Sequence, residues 1–327
     1  MAIWLYEDGI GEERALLNDQ GRIVEARIGR HGGVKAGMVA RAKLVKQLAA
    51  GKRGIGQLDD GADLLISPLP KAVSEGAAMM VEIRRAAIAE KGRFKLPLAR
   101  PVEDRQAQAA PTVLELISGQ GIEVRRCHAY EADHFAEAGW YDVIEEAQSG
   151  VIGFDGGTLF VAITPAMTLI DVDGELPPLA LAMAGAEAAA KAVRRLDLQG
   201  SIGIDFPGLP SKADRQMVAE ALDAAMTGDF ERTAVNGFGL LQLVKRRTGP
   251  SLPEIMQHAR TKGHALDLLR RAERSNGSGD LRLVCHPALI RSFEKNSGWT
   301  DELARRMGRP IRLHSDSKLA IGGGYAE

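Results

Sequence analysis

Two aspartates, Asp171 and Asp205, each stand at the end of an apolar stretch, and their setting predicts metal chemistry. An alanine-rich helix is predicted between the two stretches, at 181–196, so the unit is strand, helix, strand with parallel strands. Functional groups in parallel sheets collect beyond the carboxyl ends of the strands. Two carboxylates that converge there repel each other unless a cation lies between them, which favours Mg²⁺ or Mn²⁺. Asp173 is placed to add a third ligand or to orient a water.

A magnesium ion held by a few carboxylates keeps several waters, and such a centre suits phosphodiester hydrolysis. The alternative for either aspartate taken alone is a helix cap or a turn residue. Motifs for other catalytic sites are absent from the sequence. The histidines never show the close spacing of a zinc site, and neither the Gly-x-Ser-x-Gly elbow of serine hydrolases nor the phosphate-binding loop of nucleotide triphosphatases occurs. The two cysteines, Cys127 and Cys285, form no close pair, so we expect free thiols and no zinc.

Basic residues segregate along the chain although the net charge is only −1. Lys and Arg outnumber Asp and Glu about two to one at 35–100 and again at 232–327. This pattern favours a polyanion held by both flanks around an acidic metal centre, while chance segregation of solvated faces is the alternative. The candidate RNA-binding residues are Lys43, Lys46, Lys52, Arg53, Arg84, Arg85, Lys91, Arg93, Lys95, Lys245, Arg246 and Arg247. For Lys245 to Arg247, a solvated face or a helix-dipole partner is the alternative.

These side chains need elements to position them, and glycine-punctuated apolar stretches at 35–100 predict a barrel. Five short strands, the last at 93–98, are typical of a small β-barrel. Phe94 is its only aromatic residue, so binding there would be mainly electrostatic and salt-dependent. A linker and a short helix are predicted at 101–119, helices at 136–148 and 238–247, and a loose tail after 322.

The composition is that of a multidomain α/β protein of 327 residues, 45% hydrophobic and 26% charged. A run of about 18 apolar residues that could cross a membrane is absent from the sequence. The first residues carry Glu7 and Asp8 where a signal peptide would be basic and then apolar. We therefore expect a cytoplasmic protein that does not enter the membrane.

Three motifs in this order resemble the catalytic core of the ribonuclease E/G family. They are Thr168-Leu-Ile-Asp-Val-Asp, Gly203-Ile-Asp-Phe, and Phe238-Gly-Leu-Leu-Gln-Leu-Val-Lys-Arg-Arg-Thr followed by Pro250-Ser-Leu. The resemblance implies a divalent-metal endoribonuclease that cuts single-stranded RNA. It also implies that Asp171 and Asp205 match the two magnesium-binding aspartates, and that Asp173 stands where the family usually has asparagine.

The resemblance further implies a division of the chain into the family's parts. These are the start of an RNase H-like subdomain at 1–34, an OB-type RNA-binding barrel at 35–100, a linker with a reduced sensor region at 101–120, the rest of the RNase H-like subdomain at 121–165, a DNase I-like catalytic subdomain at 166–250 and a small C-terminal domain at 251–327. A homodimer is implied by analogy alone.

Several positions depart from the family. The cysteine pair of the zinc link, expected between Ser251 and Leu266, is absent, and the interval 101–120 is too short for a full sensor of the RNA 5′ end. Gln57 and Leu65 fall near positions where the family uses phenylalanines to grip a base, and Gly237 replaces a basic residue. The chain therefore resembles a shortened member of the family.

The leading hypothesis is a magnesium-dependent endoribonuclease for single-stranded RNA, acting in RNA processing or decay. The rival hypothesis is a non-catalytic RNA-binding protein that retains the ribonuclease E/G fold, and a remoter one is a metal-dependent DNA nuclease. The first two both predict RNA affinity, so affinity alone does not separate them. Retention of both acidic strand ends favours the enzyme.

Overall fold

The computed structural model describes residues 1–48, 52–90 and 93–327, except for the side chain of Arg93. The strands are β1 (Ile3–Asp8), β2 (Glu12–Asp19), β3 (Arg22–Arg30), β4 (Val39–Leu48), β5 (Arg53–Leu58), β6 (Asp63–Ile66), β7 (Ala78–Arg85), β8 (Ile88–Glu90), β9 (Arg93–Lys95), β10 (Leu98–Pro101), β11 (Val124–Arg126), β12 (Val151–Phe154), β13 (Gly157–Ile163), β14 (Thr168–Gly174), β15 (Gly200–Asp205), β16 (Glu231–Arg232), β17 (Leu240–Lys245), β18 (Leu281–Cys285), β19 (Ile311–Ser315) and β20 (Tyr325–Ala326). The helices are α1 (Val113–Ser118), α2 (His134–Glu137), α3 (Trp140–Ser149), α4 (Pro178–Arg195), α5 (Lys212–Ala225), α6 (Leu252–His258), α7 (Arg260–Glu273), α8 (Pro287–Lys295) and α9 (Gly298–Met307).

The first sheet has the strand order β11-β1-β2-β3. Its strands β1, β2 and β3 form an antiparallel meander, and β11 adds to β1 in parallel after the barrel and its linker have intervened. Helix α1 begins with a capping box between Thr112 and Glu115 and packs Val113 and Ile117 against this sheet around Trp4. The short helix predicted after the linker is confirmed.

The barrel is closed, with the order β10-β6-β5-β4-β7, and is consistent with an OB-type barrel. Gly54 and Gly56 on β5 admit the core side chains of Leu44 and Ile66, because a Cβ at either position would lie 2.5 and 2.6 Å from them. The predicted fifth strand at 93–98 is wrong. Its first half, β9, pairs with β8 in a separate hairpin, and β10 closes the barrel after Pro97, which has no N–H to donate.

The six-stranded sheet has the order β12-β13-β14-β15-β17-β16, and the predicted strand-helix-strand unit is confirmed as β14, α4 and β15. Small residues along α4 let the helix lie close to the sheet; Gly185 leaves room for Val172, which a Cβ would approach to 2.4 Å. The helix predicted at 238–247 is wrong, because this segment is the strand β17. Leu241 and Leu243 are buried at strand spacing, and β17 pairs with β15 along its length.

The C-terminal unit consists of the sheet β19-β18-β20 with α7, α8 and α9 packed around Leu283 and Phe293. The loose tail predicted after 322 is wrong at its end, since Tyr325 and Ala326 pair with β18.

The helix predicted at 136–148 is interrupted at Gly139, whose φ of 92° ends α2 before α3 begins. In the described part of the chain, no helix combines the length and apolarity needed to cross a membrane.

A buried charge network joins the C-terminal unit to the first sheet. Glu7 on β1 accepts hydrogen bonds from Arg14 at 3.2 Å, Arg270 at 2.7 Å and Arg274 at 2.5 Å. Arg270 also donates to Glu12 at 3.0 Å. Burial alone would raise the pKa of Glu7, but the three guanidinium groups lower it to about 2. The carboxylate is therefore ionised and is part of the junction between the two units.

Candidate active site

Asp171 and Asp205 lie side by side on neighbouring strands. Parallel pairing of β14 with β15 joins Thr168 to Ile202 and ends with Asp171 opposite Asp205. Both side chains are exposed, while Ile170 and Ile204 beside them are buried against the helices. Neighbouring strands are about 4.8 Å apart, so the two carboxylates share one face at the carboxyl ends of the parallel pair.

We call this side of the six-stranded sheet the open face, defined by the exposed side chains of Val151, Phe160, Leu169, Asp171, Asp205, Leu240 and Val244. The opposite side carries α4 and α5. One row of directly paired residues crosses the open face from Val151 through Phe160, Asp171 and Asp205 to Leu240. The acid pair is therefore flanked by an aromatic side chain on one strand and by an aliphatic one on the other.

The strand positions preceding the two acids are apolar and closely packed. Leu169 lies over Gly203, where a Cβ would come within 2.9 Å of the leucine and 3.2 Å of the Met167 sulfur. Glycine at 203 thus makes room for an apolar floor next to the carboxylates. A group bound to Asp171 and Asp205 would have water on only part of its surroundings.

A tight loop holds Phe238 next to the end of β15. The side-chain oxygen of Asn236 accepts hydrogen bonds from the backbone N–H of Phe238 at 2.8 Å and of Leu240 at 3.1 Å. The N–H of Phe206, the residue after Asp205, donates to the carbonyl of Gly239 at 3.2 Å. Phe238 itself is 90% exposed. The loop therefore presents an aromatic ring to solvent near the acid pair.

The residues of the acid pair fit a divalent cation. Asp171 and Asp205 have no cationic partner in the described parts of the chain, so two adjacent carboxylates stand without neutralisation. Asp173 lies on the same face, and one of its carboxylate oxygens accepts the backbone N–H of Gly174 at 2.9 Å. Within residues 1–48, 52–90 and 93–327, no three His, Cys, Asp or Glu side chains are grouped so that they could hold a metal by themselves. Mg²⁺ is commonly held by one or two carboxylates together with waters and substrate phosphates.

Four of the candidate RNA-binding residues lie together on one hairpin of the barrel. Lys43 and Lys46 are exposed on β4, and Lys52 and Arg53 are exposed at the start of β5. Pairing of Leu48 with Arg53 brings the two strand ends together. We call these four residues the basic hairpin. No ion pair between described residues engages these four side chains, so they are available to phosphate groups.

The remaining basic candidates are mostly engaged in contacts within the protein. Arg84 pairs with Glu82 at 3.7 Å, Arg85 donates to the carbonyl of Leu96 at 2.8 Å, Lys95 pairs with Glu90, and Arg247 pairs with Glu254. Burial lowers the pKa of Lys245, while Arg246 is exposed. Lys91 and the side chain of Arg93 lie outside the described residues.

The barrel and the β8–β9 hairpin beside it join the six-stranded sheet at the end remote from the acids. The backbone N–H of Ala86 donates to the carbonyl of Thr248 at 2.8 Å, and the Lys95 ammonium donates to the carbonyl of Pro165 at 3.1 Å. Both acceptors lie at the amino ends of β14 and β15, whereas the acids lie towards the carboxyl ends. Between described residues, no hydrogen bond or ion pair links the basic hairpin to Asp171 or Asp205.

The sequence did not point to Phe160, and through the family resemblance it placed Phe238 and Leu240 in a motif of the catalytic core but gave them no role. Their region was hidden because 238–247 was predicted to be a helix, which would have dispersed these side chains. The Asn236-Gly237 dipeptide is a turn signal that predicts a loop ahead of a strand. Phe160 lacks such a signal, since only the pairing of β13 with β14 places it beside Asp171.

The fold and this site define an α/β protein with two carboxylates on one parallel strand pair and a basic barrel attached to the same sheet. Residues 103–248 match the Ribonuclease E/G family. Ribonuclease G of Escherichia coli (strain K12) is 28% identical over 113 residues, which cover 31% of this chain and 23% of that protein. Ribonuclease G of Salmonella typhimurium (strain SL1344) is 28% identical over 132 residues, 36% of this chain and 27% of that protein.

Ribonuclease E of Haemophilus influenzae is 29% identical over 115 residues, which cover 32% of this chain and 12% of that protein. The aligned parts thus span only a minor part of these relatives. The resemblance to the ribonuclease E/G family is confirmed over residues 103–248, a segment that contains Asp171, Asp205 and the Phe238 loop. The barrel strands and the C-terminal unit lie outside the matched segment.

Proposed function

We propose that this protein is a magnesium-dependent endoribonuclease that cuts single-stranded RNA. The observation that carries the proposal is the in-register pairing of Asp171 with Asp205, two exposed carboxylates without a cationic partner in the described structure. The match to the Ribonuclease E/G family covers both residues and supports a ribonuclease role. Phosphodiester hydrolysis is the chemistry that a cation at such a pair serves.

Asp171 and Asp205 hold the cation in this proposal, with Mn²⁺ as a substitute for Mg²⁺. A divalent cation bound there would stabilise negative charge at phosphorus and would lower the pKa of a water, which makes that water a better source of the attacking hydroxide. Asp173 uses one oxygen on the Gly174 N–H and keeps the other to accept a hydrogen bond from a water.

We further propose the family's division of the chain, with the first sheet as an RNase H-like part. The order β3-β2-β1-β11, with the barrel inserted between β3 and β11, supports this assignment. The six-stranded sheet then corresponds to the DNase I-like part and the barrel to the RNA-binding domain. In this arrangement the basic hairpin holds the RNA backbone while the acid pair acts on one phosphodiester.

The test is cleavage of matched single-stranded RNA and DNA oligonucleotides by the purified protein, with Mg²⁺ or with EDTA. The proposal predicts internal cuts in RNA that require Mg²⁺, and little or no cutting of DNA. RNA that is bound but not cut at any Mg²⁺ or Mn²⁺ concentration would instead establish a non-catalytic RNA-binding protein. DNA cut as fast as RNA would establish a DNA nuclease.

A further inference from the structure

Two exposed phenylalanines near the acid pair have no packing role that explains their exposure. Phe160 is 43% exposed in the middle of a sheet strand, and Phe238 is 90% exposed on a loop. Large aromatic side chains bury much apolar area when they find a partner, so an exposed ring held on rigid structure is available for one. The question is which partner fits both rings.

The rigidity of both positions is set by the backbone. Phe160 is paired on both sides, with Val151 on β12 and with Asp171 on β14. The Phe238 loop is closed by the Asn236 side chain and by the Phe206–Gly239 hydrogen bond. Gly239 has a φ of 93°, and a Cβ there would lie 2.3 Å from the Phe206 carbonyl oxygen. The loop backbone is therefore held against β15, so the Cα of Phe238 has a fixed place beside the end of that strand.

The chemistry between the two phenylalanines identifies the partner. Asp171 and Asp205 stand between Phe160 and the Phe238 loop, and a cation held there would attract phosphate. A partner that places a phosphodiester on the acid pair and flat apolar groups on both sides is a single-stranded nucleic acid. Its unpaired bases stack on aromatic side chains with little dependence on sequence. A protein partner would have to cover two unneutralised carboxylates, which is costly.

We infer that Phe160 and Phe238 stack the bases on either side of the phosphodiester that lies over Asp171 and Asp205. This inference rests on the proposed function for the nature of the substrate, and it adds the groups that position it. The barrel has few aromatics, so in this account the grip on bases lies on the open face of the catalytic sheet. The basic hairpin attracts the phosphate backbone of the RNA, and the two rings determine which phosphodiester lies over the acid pair.

The test measures RNA binding and cleavage separately. Binding is followed in EDTA with an oligonucleotide that carries 2-aminopurine at successive positions, because its fluorescence falls when the base stacks. Cleavage of the same RNA is followed with Mg²⁺. The variants are Phe160→Ala, Phe238→Ala, the aromatic replacements Phe160→Trp and Phe238→Trp, and Phe238→Leu. The control is Met217→Ala, an exposed apolar residue on α5, on the opposite side of the six-stranded sheet. Thermal melts verify that each variant folds.

Each alanine variant is expected to weaken RNA binding by about five- to 150-fold, the range found for stacking aromatics. The loss should appear in KM more than in kcat, and the local 2-aminopurine quenching should disappear. The tryptophan variants should bind like the wild type, Phe238→Leu should bind like the alanine variant, and Met217→Ala should be unchanged.

Three results would overturn the inference. The first is cleavage and binding by the alanine variants at wild-type levels, which leaves the proposed function intact. The second is full activity of Phe238→Leu, which would make apolarity rather than stacking the requirement. The third is a change of oligomeric state in sedimentation, without a change in RNA binding, which would make the open face a contact between protein chains. Conversely, a wild-type protein that quenches 2-aminopurine but never cuts would support the inference and end the proposed function.

Discussion

Glu7 and Glu302 have similarly low pKa values for different reasons, and the difference matters for stability. Burial opposes ionisation of Glu7, and Arg14, Arg270 and Arg274 overcome it to bring its pKa to about 2. Glu302 on α9 is partly exposed, with 30% of its side chain accessible, and hydrogen bonds from Arg305 and Arg306 also lower its pKa to about 2. A buried carboxylate surrounded by guanidinium groups leaves uncompensated charge when it is removed, whereas an exposed one leaves groups that water solvates.

We predict that Glu7→Gln destabilises the protein by about 3–5 kcal/mol at neutral pH, while Glu302→Gln changes stability by less than about 1 kcal/mol. A carboxyl with a lowered folded pKa stabilises the fold fully above its ordinary pKa of 4.5, and this contribution is lost as the pH falls towards 2. Glu7→Gln should therefore also flatten the acid limb of the stability profile. Urea unfolding between neutral and acid pH measures both effects. Equal losses in the two variants would contradict this account of the junction.

The acid pair was predictable from the sequence, but the positions of Phe160 and Phe238 beside it were not. Apolar stretches that end in acid at Asp171 and Asp205, with a helix between them, predict two parallel strand ends. The connection of two parallel strands through a crossover helix is almost always right-handed. Local signals are therefore enough to predict that the two strand ends are neighbours. The position of Phe160 depends on an antiparallel pairing that local spacing does not encode. That the pair holds Mg²⁺ stays a prediction.

At the scale of elements, the segment at 238–247 shows why a local pattern can mislead. Its leucines and valine at 240, 241, 243 and 244 satisfy helical spacing as well as strand spacing. Pairing with β15 decides for the strand, and Gly239 with its positive φ starts it. The helical pattern of this segment is overridden by its pairing with β15, a strand that is distant in sequence. The strand-helix-strand unit, by contrast, has local signals that agree with its long-range contacts.

We predict that Gly239→Ala destabilises the protein by about 1–3 kcal/mol, because a non-glycine residue at this φ is strained. The added Cβ would also clash with the Phe206 carbonyl, which should displace the Phe238 loop. Gly237→Ala is the matched control in the same loop, since a Cβ at 237 meets no described atom within 4 Å. Thermal or urea unfolding and RNA binding report the two effects. A Gly239→Ala variant as stable as Gly237→Ala would contradict the described loop geometry.

The interval between the barrel and β11 bears on recognition of RNA ends. After β10, Gln108 of this interval pairs with Val39 of the barrel. The chain then forms α1, which packs against the first sheet. In the described chain, this leaves no separate platform for a terminal phosphate. We predict that RNAs with a 5′-monophosphate, with a 5′-hydroxyl or in circular form are cut at rates within about tenfold of one another. Parallel cleavage of one sequence in the three forms is the measurement. A monophosphate preference well beyond tenfold would contradict the prediction.

At the scale of the whole molecule, the proposed function gives the barrel and the six-stranded sheet separate roles on RNA. The barrel contacts the sheet near Thr248, and the β8–β9 hairpin contacts it near Pro165, both remote from the acids. In the proposed function, an RNA therefore extends across both surfaces to reach the basic hairpin and the acid pair. The barrel was predictable from its glycine-punctuated strands. Its closing strand was not, because the turn at Pro97 shifts the last pairing to β10. The junction through Glu7 also lies beyond sequence reasoning, since Arg270 meets it from far along the chain.

We predict that Lys46→Gln lowers the salt dependence of RNA binding. Each phosphate contact with single-stranded nucleic acid contributes about 0.7 to the slope of log K against log salt concentration. The Lys46 ammonium is exposed on the basic hairpin, so its loss should reduce the slope by about that amount. Lys318→Gln, an exposed lysine of the C-terminal unit, should leave the slope unchanged. Equal slopes for Lys46→Gln and wild type would remove the basic hairpin from the RNA path.

The most direct test of the central claim compares Asp171→Asn and Asp205→Asn with the exposed control Asp229→Asn. Single-turnover cleavage of one RNA in Mg²⁺, RNA binding in EDTA, and Mn²⁺ binding by electron paramagnetic resonance are measured for each. The account predicts that both site variants lose cleavage by about a hundredfold or more and lose Mn²⁺ binding. Their RNA binding should stay within a few-fold of wild type, and Asp229→Asn should match wild type throughout. If Asp205→Asn cuts RNA as fast as wild type at saturating Mg²⁺, the assignment of the metal to the paired aspartates is wrong.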